Sequence, residues 1–156
     1  MTRALLVPAS YVLLLRGGSD DRADDREVLL QLRQGTGFRD GHWATMAGHV
    51  EEGETARAAA AREVLEECGV RVDEDALAPL TTVHRITPGA GQVEQRVDFF
   101  WTAEDWTGVP RIAEPGRTAD LRWFPLRALP DPVVPHEREV LTRLAGGGLV
   151  PPILLA

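Results

Sequence analysis

The chain has 156 residues, of which 44% are hydrophobic and 26% are charged, a balance typical of globular proteins. No apolar run approaches the roughly 18 residues that span a bilayer, which argues against a membrane protein. The formal net charge of −7 argues against a nucleic-acid polymer as a partner, because phosphate backbones require a basic face. Small nucleotides stay open as ligands, since metal ions can screen their charge.

The length fits one domain with one core over 1–156. A signal peptide is the competing interpretation of the apolar start, but 1–16 has no small-residue cleavage site before its pattern becomes strand-like. We therefore expect a cytoplasmic protein. The single cysteine, Cys68, excludes an intramolecular disulfide, and its place at a helix end among glutamates favours packing over catalysis.

The first part of the chain predicts a hairpin followed by a loop. Apolar runs at 11–15 and 28–33 predict two antiparallel strands. The acidic tract 17–27 between them predicts a solvated hairpin loop, because its acids are not at the spacing of a calcium loop. A glycine-rich loop at 34–41 then leads to a short extended segment at 42–46.

The segment 48–70 predicts a loop, a helix and a turn. Thr55 is a good helix N-cap, the alanines at 56 and 58–61 favour helix, and Gly69 ends it. A short strand-like piece follows at 70–72.

The second half predicts three strands and a closing helix. The strands are expected at 78–86, 93–103 and 120–125, and the helix at 135–145, with a turn at 88–92 and a loop at 106–119. The apolar, proline-rich tail 149–156 is expected either to pack on the domain or to lie at a dimer interface, so a monomer and a homodimer both stay open.

Three glutamates of the predicted helix share one face. Glu63, Glu66 and Glu67 are spaced i, i+3 and i+4, and like charges at this spacing repel by a few tenths of a kcal/mol per pair. A hard cation between them would remove the repulsion, and an all-oxygen ligand set suits Mg²⁺ or Mn²⁺. Arg62 is placed to pair with Glu54 or a helix acid. A solvated acidic helix face is the alternative.

The segment 48–70 resembles the Nudix box, GX5EX7REUXEEXGU, in which U is an apolar residue. Every specified position matches, namely Gly48, Glu54, Arg62, Glu63, Val64, Glu66, Glu67, Gly69 and Val70. Thr45-Met46-Ala47-Gly48 stands where many members carry Pro-Gly-Gly, and Met46 and Ala47 still permit a turn. The resemblance implies a fold of the α/β (α+β) class, an α/β/α sandwich with a mixed β-sheet, over nearly the whole chain.

The same resemblance implies a Mg²⁺-dependent hydrolase that cleaves the diphosphate linkage of a nucleoside diphosphate derivative, with Mn²⁺ as a substitute. The implied metal ligands are Glu63, Glu66, Glu67 and the carbonyl of Gly48, with Arg62 orienting the acids. The segment 106–110 followed by Glu114 is similar to the WxGxP…E segment of MutT-like members. It implies that Glu114 joins the metal site or acts as the base; an exposed loop glutamate is the alternative.

Candidate substrate contacts lie outside the box. Arg33 ends a strand where MutT-like members place a phosphate-binding arginine, and His49 directly follows the box glycine. Arg85 and Arg96 lie on predicted strands beside the site. For each of these four residues, the alternative is a surface or loop role without substrate contact. His136 is expected first to have a capping or surface role.

Three functions remain in competition. A MutT-like nucleoside triphosphate pyrophosphohydrolase is favoured by the small size and the WxGxP…E likeness. An ADP-ribose or nucleotide-sugar pyrophosphatase is the second. A non-catalytic nucleotide-binding module is the third, although such modules usually lose box acids. The box specifies the bond to be broken and leaves the base, the sugar and the group X open.

Overall fold

The computed structural model describes residues 3–18, 25–86, 95–147, 150–151 and 153–155. In chain order the elements are β1 (Val7–Arg16), β2 (Glu27–Arg33), β3 (Trp43–Ala44), β4 (Met46–His49), α1 (Ala56–Cys68), β5 (Ala78–Ile86), β6 (Gln95–Ala103), β7 (Thr118–Pro125), α2 (Pro135–Ala145) and β8 (Ile153–Leu155), with a 3-10 turn at Glu74–Ala76. None of the helices in these residues is long and apolar enough to cross a bilayer.

Strand β1 is the centre of a mixed sheet. Along one edge it pairs in parallel with β6, from Val7 opposite Arg96 to Leu14 opposite Ala103. Along the other edge it pairs antiparallel, first with β4 and then with β2. β5 pairs with β6, and β3 and β7 pair with β2. The mixed sheet confirms the predicted fold class.

The two helices cover opposite faces of this sheet. Side chains alternate along a strand, so Leu13 and Leu15 lie in one apolar cluster and Val12 and Leu14 in the other. Helix α2 contributes to the first cluster, and α1 contributes to the second. The result is the predicted α/β/α sandwich, in which both faces of β1 are buried.

Helix α1 begins and ends where its sequence predicts. The side chain of Thr55 accepts a hydrogen bond from the backbone N–H of Ala58, and Gly69 ends the helix in the left-handed region at φ 74°. Cys68 is fully buried, and burial raises the pKa of its thiol to about 11. The thiol therefore packs in the core and is not poised as a nucleophile.

Two short segments pair as their sequence patterns predict, with differences in detail. The extended segment 42–46 contains β3 and the start of β4, and Met46 and Ala47, where the sequence permitted a turn, pair with β1 between Ala9 and Val12. The strand-like piece at 70–72 contributes one isolated bridge, between Arg71 and Thr107.

The other predicted segments to compare with the structure are the tail, the acidic tract and the turn before β6. In the predicted tail 149–156, the described residues 153–155 pair in parallel with β5, which places them on the sheet. The acidic tract 17–27 joins two antiparallel strands as predicted, with Glu27 already in β2 and 19–24 outside the described residues. The predicted turn at 88–92 and the strand start at 93–94 also lie outside them.

Candidate active site

A cleft of about 1160 Å³ opens between α1, the start of α2 and the strands β4, β5 and β6. All ten candidate site residues line this cleft, namely Arg33, Gly48, His49, Arg62, Glu63, Glu66, Glu67, Arg85, Arg96 and Glu114. They come from six separate parts of the chain, so the fold gathers what the sequence leaves apart.

Glu67 is the most deeply placed acid of α1. Its Oε2 accepts hydrogen bonds from the backbone N–H of Ala47 at 2.8 Å and from Nε2 of Gln31 at 2.9 Å. Burial, reinforced by the charges of Glu63 and Glu114, raises the pKa of Glu67 to about 8. A cation beside a carboxylate that is held out of water in this way strongly stabilises the charged form of the carboxylate.

Glu63 lies against the backbone of Gly48. A Cβ added to Gly48 would lie 1.9 Å from Oε1 of Glu63, so a side chain at position 48 would displace this carboxylate. Burial raises the pKa of Glu63, and the charges of Glu66 and Glu114 act in the same direction. Glu66 is half exposed at the outer end of the same helix face.

Arg62 holds the outer acids in place. Its Nε and Nη2 donate to the two oxygens of Glu54 at 2.9 and 3.0 Å, a bidentate pair that fixes the guanidinium. Its Nη1 donates to Glu63 at 2.6 Å and to Glu66 at 3.2 Å. The pairing predicted for Arg62 is therefore present with Glu54 and the helix acids at once, and Glu54 and Glu63 raise the arginine's pKa.

Glu114 is brought to the helix by a loop that caps the end of α1. The backbone N–H groups of Arg111 and Ala113 donate to the carbonyls of Cys68 and Glu67 at 3.0 and 3.2 Å. These bonds satisfy carbonyls that a helix end leaves without partners. Glu114 lines the same cleft as Glu63 and Glu67, and its negative charge contributes to raising the pKa of both.

Cationic side chains occupy the other side of the cleft. Arg33 donates from Nε to the carbonyl of Phe38 at 2.9 Å and from Nη2 to Thr36, so it also organises the loop 34–41. Nη1 of Arg96 lies 2.7 Å from Nε2 of His49. Burial and the charge of Arg96 lower the pKa of His49, which favours a neutral ring that accepts the hydrogen bond.

Arg85 is held in place by the buried carboxylate of Asp98. Its Nε donates to Oδ2 of Asp98, which is fully buried, while Oδ1 of Asp98 has no hydrogen-bond partner among the described residues. Burial raises the pKa of Asp98, and the arginine opposes that shift. Arg85 therefore lines the cleft with part of its charge neutralised.

His136 differs from its expected surface role. Its side chain is 8% exposed, and Nε2 lies 3.2 Å from the hydroxyl of Tyr11. Burial lowers the pKa of His136 to about 3, and four arginines around it act in the same direction, namely Arg33, Arg39, Arg85 and Arg96. The ring is a neutral group at the inner end of the cleft.

The acidic side of the cleft fits a divalent cation in its chemistry. The donors are carboxylate oxygens and the backbone of Gly48, a set that suits hard cations. No three His, Cys, Asp or Glu side chains of the described residues already surround a point where an ion would sit. Arg62 holds Glu63 and Glu66 by hydrogen bonds that a cation bound to the same oxygens would have to replace.

Several residues of the site carry weak signals in the sequence. Gln31 interrupts the apolar run 28–33, and Asp98 shares a strand face with the buried Phe100. A polar residue at an inward position is unusual and indicates a partner. The sequence does not show which partner, since Gln31 and Glu67 are 36 residues apart.

Comparisons with known proteins show the family of this chain. The NUDIX domain family model matches residues 8–144. The oxidized purine nucleoside triphosphate hydrolase of Mus musculus is 32% identical over 109 residues, which are 67% of this chain and 62% of that protein. The protein of the same name from Danio rerio is 32% identical over 107 residues, 66% and 61% of the two chains. The chain thus spans about three fifths of the length of these relatives.

Solved structures share the fold. The MutT NUDIX hydrolase from Burkholderia pseudomallei has a TM-score of 0.75 and 28% identity, over 88% of this chain and 97% of its own. The MutT protein from Methanosarcina mazei Go1 has a TM-score of 0.71 over 94% and 98% of the two chains, and at 15% identity it shows the fold alone. The family model covers well over half of the sequence, and the chain therefore belongs to the Nudix hydrolase family.

Proposed function

We propose that the protein is a Mg²⁺-dependent nucleoside triphosphate pyrophosphohydrolase. The observation that carries the proposal is that Glu63, Glu66, Glu67 and Glu114 line one cleft together with the cationic side chains of Arg33, Arg85 and Arg96. Nudix hydrolases generally use divalent metal ions and act on small nucleotides. Such a cleft suits a substrate that carries both a metal-bound diphosphate and further negative charge.

The four glutamates and the carbonyl of Gly48 are the proposed metal ligands. Bound Mg²⁺ would neutralise the phosphates and make a water molecule more acidic. Arg62 fixes the outer acids, and the buried Glu67 is the acid whose charge most needs a cation. In the proposed reaction these groups would hold the metal-bound diphosphate for in-line attack at phosphorus, and charge stabilisation would supply most of the catalysis.

Arg33, His49, Arg85 and Arg96 are the proposed substrate contacts. Arg33 and Arg96 are the cations best placed for phosphate oxygens, since Arg85 is already paired with Asp98. The neutral His49 and His136 offer hydrogen bonds without added charge. The names of the curated relatives support a nucleoside triphosphate as the substrate, with an oxidised purine base among the candidates.

A release assay over a substrate panel tests the proposal. Nucleoside and deoxynucleoside triphosphates, oxidised dGTP, ADP-ribose, a sugar nucleotide and a dinucleotide are each incubated with Mg²⁺ or with a chelator. We expect a nucleoside monophosphate and pyrophosphate from a triphosphate, with Mg²⁺ only. Turnover restricted to ADP-ribose or the sugar nucleotide would replace the proposed substrate class, and binding without turnover of any compound would favour a non-catalytic module.

Glu114 is tested separately, because it comes from a loop outside the helix. We expect Glu114→Gln to lower kcat by about 10-fold or more, since it removes a charge that faces Glu63 and Glu67. Glu104→Gln is the matched control, as Glu104 is an exposed acid that does not line the cleft. An unchanged kcat for Glu114→Gln would make Glu114 an ordinary loop residue.

A further inference from the structure

Gln31 is a polar residue in an otherwise apolar part of β2. Its side chain is 3% exposed, between the fully buried Leu30 and the end of the strand. A buried amide has two donors and an acceptor to satisfy, and leaving them unpaired costs free energy. The partners of Gln31 therefore indicate why an amide is placed here.

One partner is the deepest acid of the candidate active site. Nε2 of Gln31 donates to Oε2 of Glu67 at 2.9 Å, and the backbone N–H of Ala47 donates to the same oxygen at 2.8 Å. No hydrogen bond from the described residues reaches Oε1 of Glu67. Because two donors from two strands hold Oε2, the orientation of the carboxylate is constrained and Oε1 is the oxygen left for a ligand.

The other end of the amide reaches the segment that carries Glu114. Oε1 of Gln31 accepts a hydrogen bond from Oγ1 of Thr118 at 2.7 Å, and Thr118 is 3% exposed. The backbone N–H of Thr118 donates to the carbonyl of Glu114 at 3.0 Å. A continuous chain of hydrogen bonds thus runs from Glu67 on α1, through Gln31 on β2, to the loop of Glu114.

We propose that Gln31 is a positioning residue that fixes Glu67 for metal binding and, through Thr118, sets its place relative to Glu114. This inference rests on the proposed function, since it assigns Gln31 a role in that metal site. Partners that orient metal ligands typically contribute 10–100-fold to metal affinity or activity. The effect of Gln31 should therefore appear in the affinity for the ion before any substrate is added.

Two substitutions separate this role from simple packing. Gln31→Met keeps an unbranched side chain of similar size but removes the hydrogen bonds of the amide with Glu67, Thr118 and the carbonyl of Thr45. Thr118→Val is nearly isosteric and removes only the outer bond. Thr81→Val is the matched control, because Thr81 is also a buried threonine, 6% exposed, whose hydroxyl donates to the carbonyl of Pro151 away from the cleft.

The measurements are a calorimetric titration with Mn²⁺ without substrate, kcat and KM at saturating metal, and the melting temperature of each variant. We expect Gln31→Met to weaken Mn²⁺ binding about 10–100-fold and to lower kcat with little change in KM. Thr118→Val should show a smaller change in the same direction. The double variant should bind Mn²⁺ no more weakly than Gln31→Met, because Thr118 acts through Gln31.

Thr81→Val should lose stability while it keeps the wild-type dissociation constant for Mn²⁺. A folded Gln31→Met variant with wild-type Mn²⁺ affinity would overturn the inference and leave the proposed function standing. If Gln31→Met does not fold, the test passes to Thr118→Val. A folded Thr118→Val variant with wild-type Mn²⁺ affinity would then overturn the inference. A wild-type protein that binds no Mn²⁺ would overturn the proposed function itself, and the inference with it.

Discussion

The carboxylate of Glu63 occupies the space in which a side chain on Gly48 would lie. A methyl group there would be 1.9 Å from Oε1 of Glu63, well inside van der Waals contact, so the glutamate would have to move. Glu63 is also held by Arg62 at 2.6 Å, which limits where it can go. A side chain at position 48 would thus clash with the carboxylate of Glu63 rather than with the backbone.

We expect Gly48→Ala to lower kcat by about 10-fold or more while the protein stays folded, because the displaced Glu63 leaves its hydrogen bonds. Steady-state kinetics with Mg²⁺ and the melting temperature check this. Gly146→Ala is the control, since an added Cβ there meets its nearest atom at an ordinary 3.6 Å. Equal kcat for both variants would show that the position of Glu63 does not matter for turnover.

At the scale of residues, the sequence was informative where chemistry and spacing coincide. Glu63, Glu66 and Glu67 could be assigned to one helix face from a 3.6-residue period alone, and all three line one cleft. Gln31 and Asp98 could be noticed as polar residues on inward faces, but their partners could not be named. Long-range partners depend on strand register, which one sequence does not show.

Helix α2 brings a buried acid against the segment that leads into β4. Glu137 is 3% exposed, and its Oε2 accepts hydrogen bonds from the backbone N–H of Thr45 at 2.6 Å and from its hydroxyl at 2.9 Å. Burial raises the pKa of Glu137 from the usual 4.5 to about 7, although the bonds to Thr45 oppose the shift. The free energy of unfolding therefore depends on pH through the buried carboxyl group of Glu137.

Proton uptake decides whether this carboxyl group contributes more to stability at low or at high pH. A carboxyl group with a raised pKa in the folded state binds more protons there than when unfolded, so its contribution to stability falls as pH rises from 4.5 to 7. We expect Glu137→Gln to gain stability relative to wild type over this window, by up to about 3 kcal/mol.

Urea unfolding of the metal-free protein at pH 4.5, 6 and 8 measures this difference. Glu139→Gln serves as the control on the same helix, because Glu139 is half exposed and pairs with Arg143 on the surface. A difference between Glu137→Gln and wild type that does not change with pH would contradict the raised pKa.

At the scale of elements, the helices were easier to predict than the short strands. α1 has an N-cap, a run of alanines and a terminal glycine, all local signals. β4 has four residues with no alternation, and it is a strand because β1 offers its edge from Ala9 to Val12. The same holds for the described part of the tail, because β8 is a strand through its pairing with β5.

The whole molecule keeps four acids on one side of a cleft in a protein of net charge −7. Burial disfavours the charged forms of Glu63 and Glu67, so the metal-free folded state carries an electrostatic cost that the unfolded chain does not. A ligand that binds only the folded state raises stability by mass action, by about 2.7 kcal/mol at a concentration 100-fold above its Kd. Metal binding and folding should therefore be linked.

We expect Mg²⁺ at such a concentration to raise the melting temperature by roughly 5–10 °C at pH 8. A thermal melt in MgCl₂, compared with NaCl of equal ionic strength, separates specific binding from screening. Equal melting temperatures in the two salts would argue against a metal site that involves these acids.

The most direct test of the central claim is the Mg²⁺-dependent turnover of a Glu67→Gln variant with a triphosphate substrate. Glutamine keeps the size of the side chain and accepts the hydrogen bond from Ala47, so the fold should survive. Loss of a charged metal ligand costs several kcal/mol of transition-state stabilisation, so we expect kcat to fall by about 100-fold or more. A folded variant that keeps the full Mg²⁺-dependent rate would contradict the assignment of Glu67 and, with it, the proposed metal site.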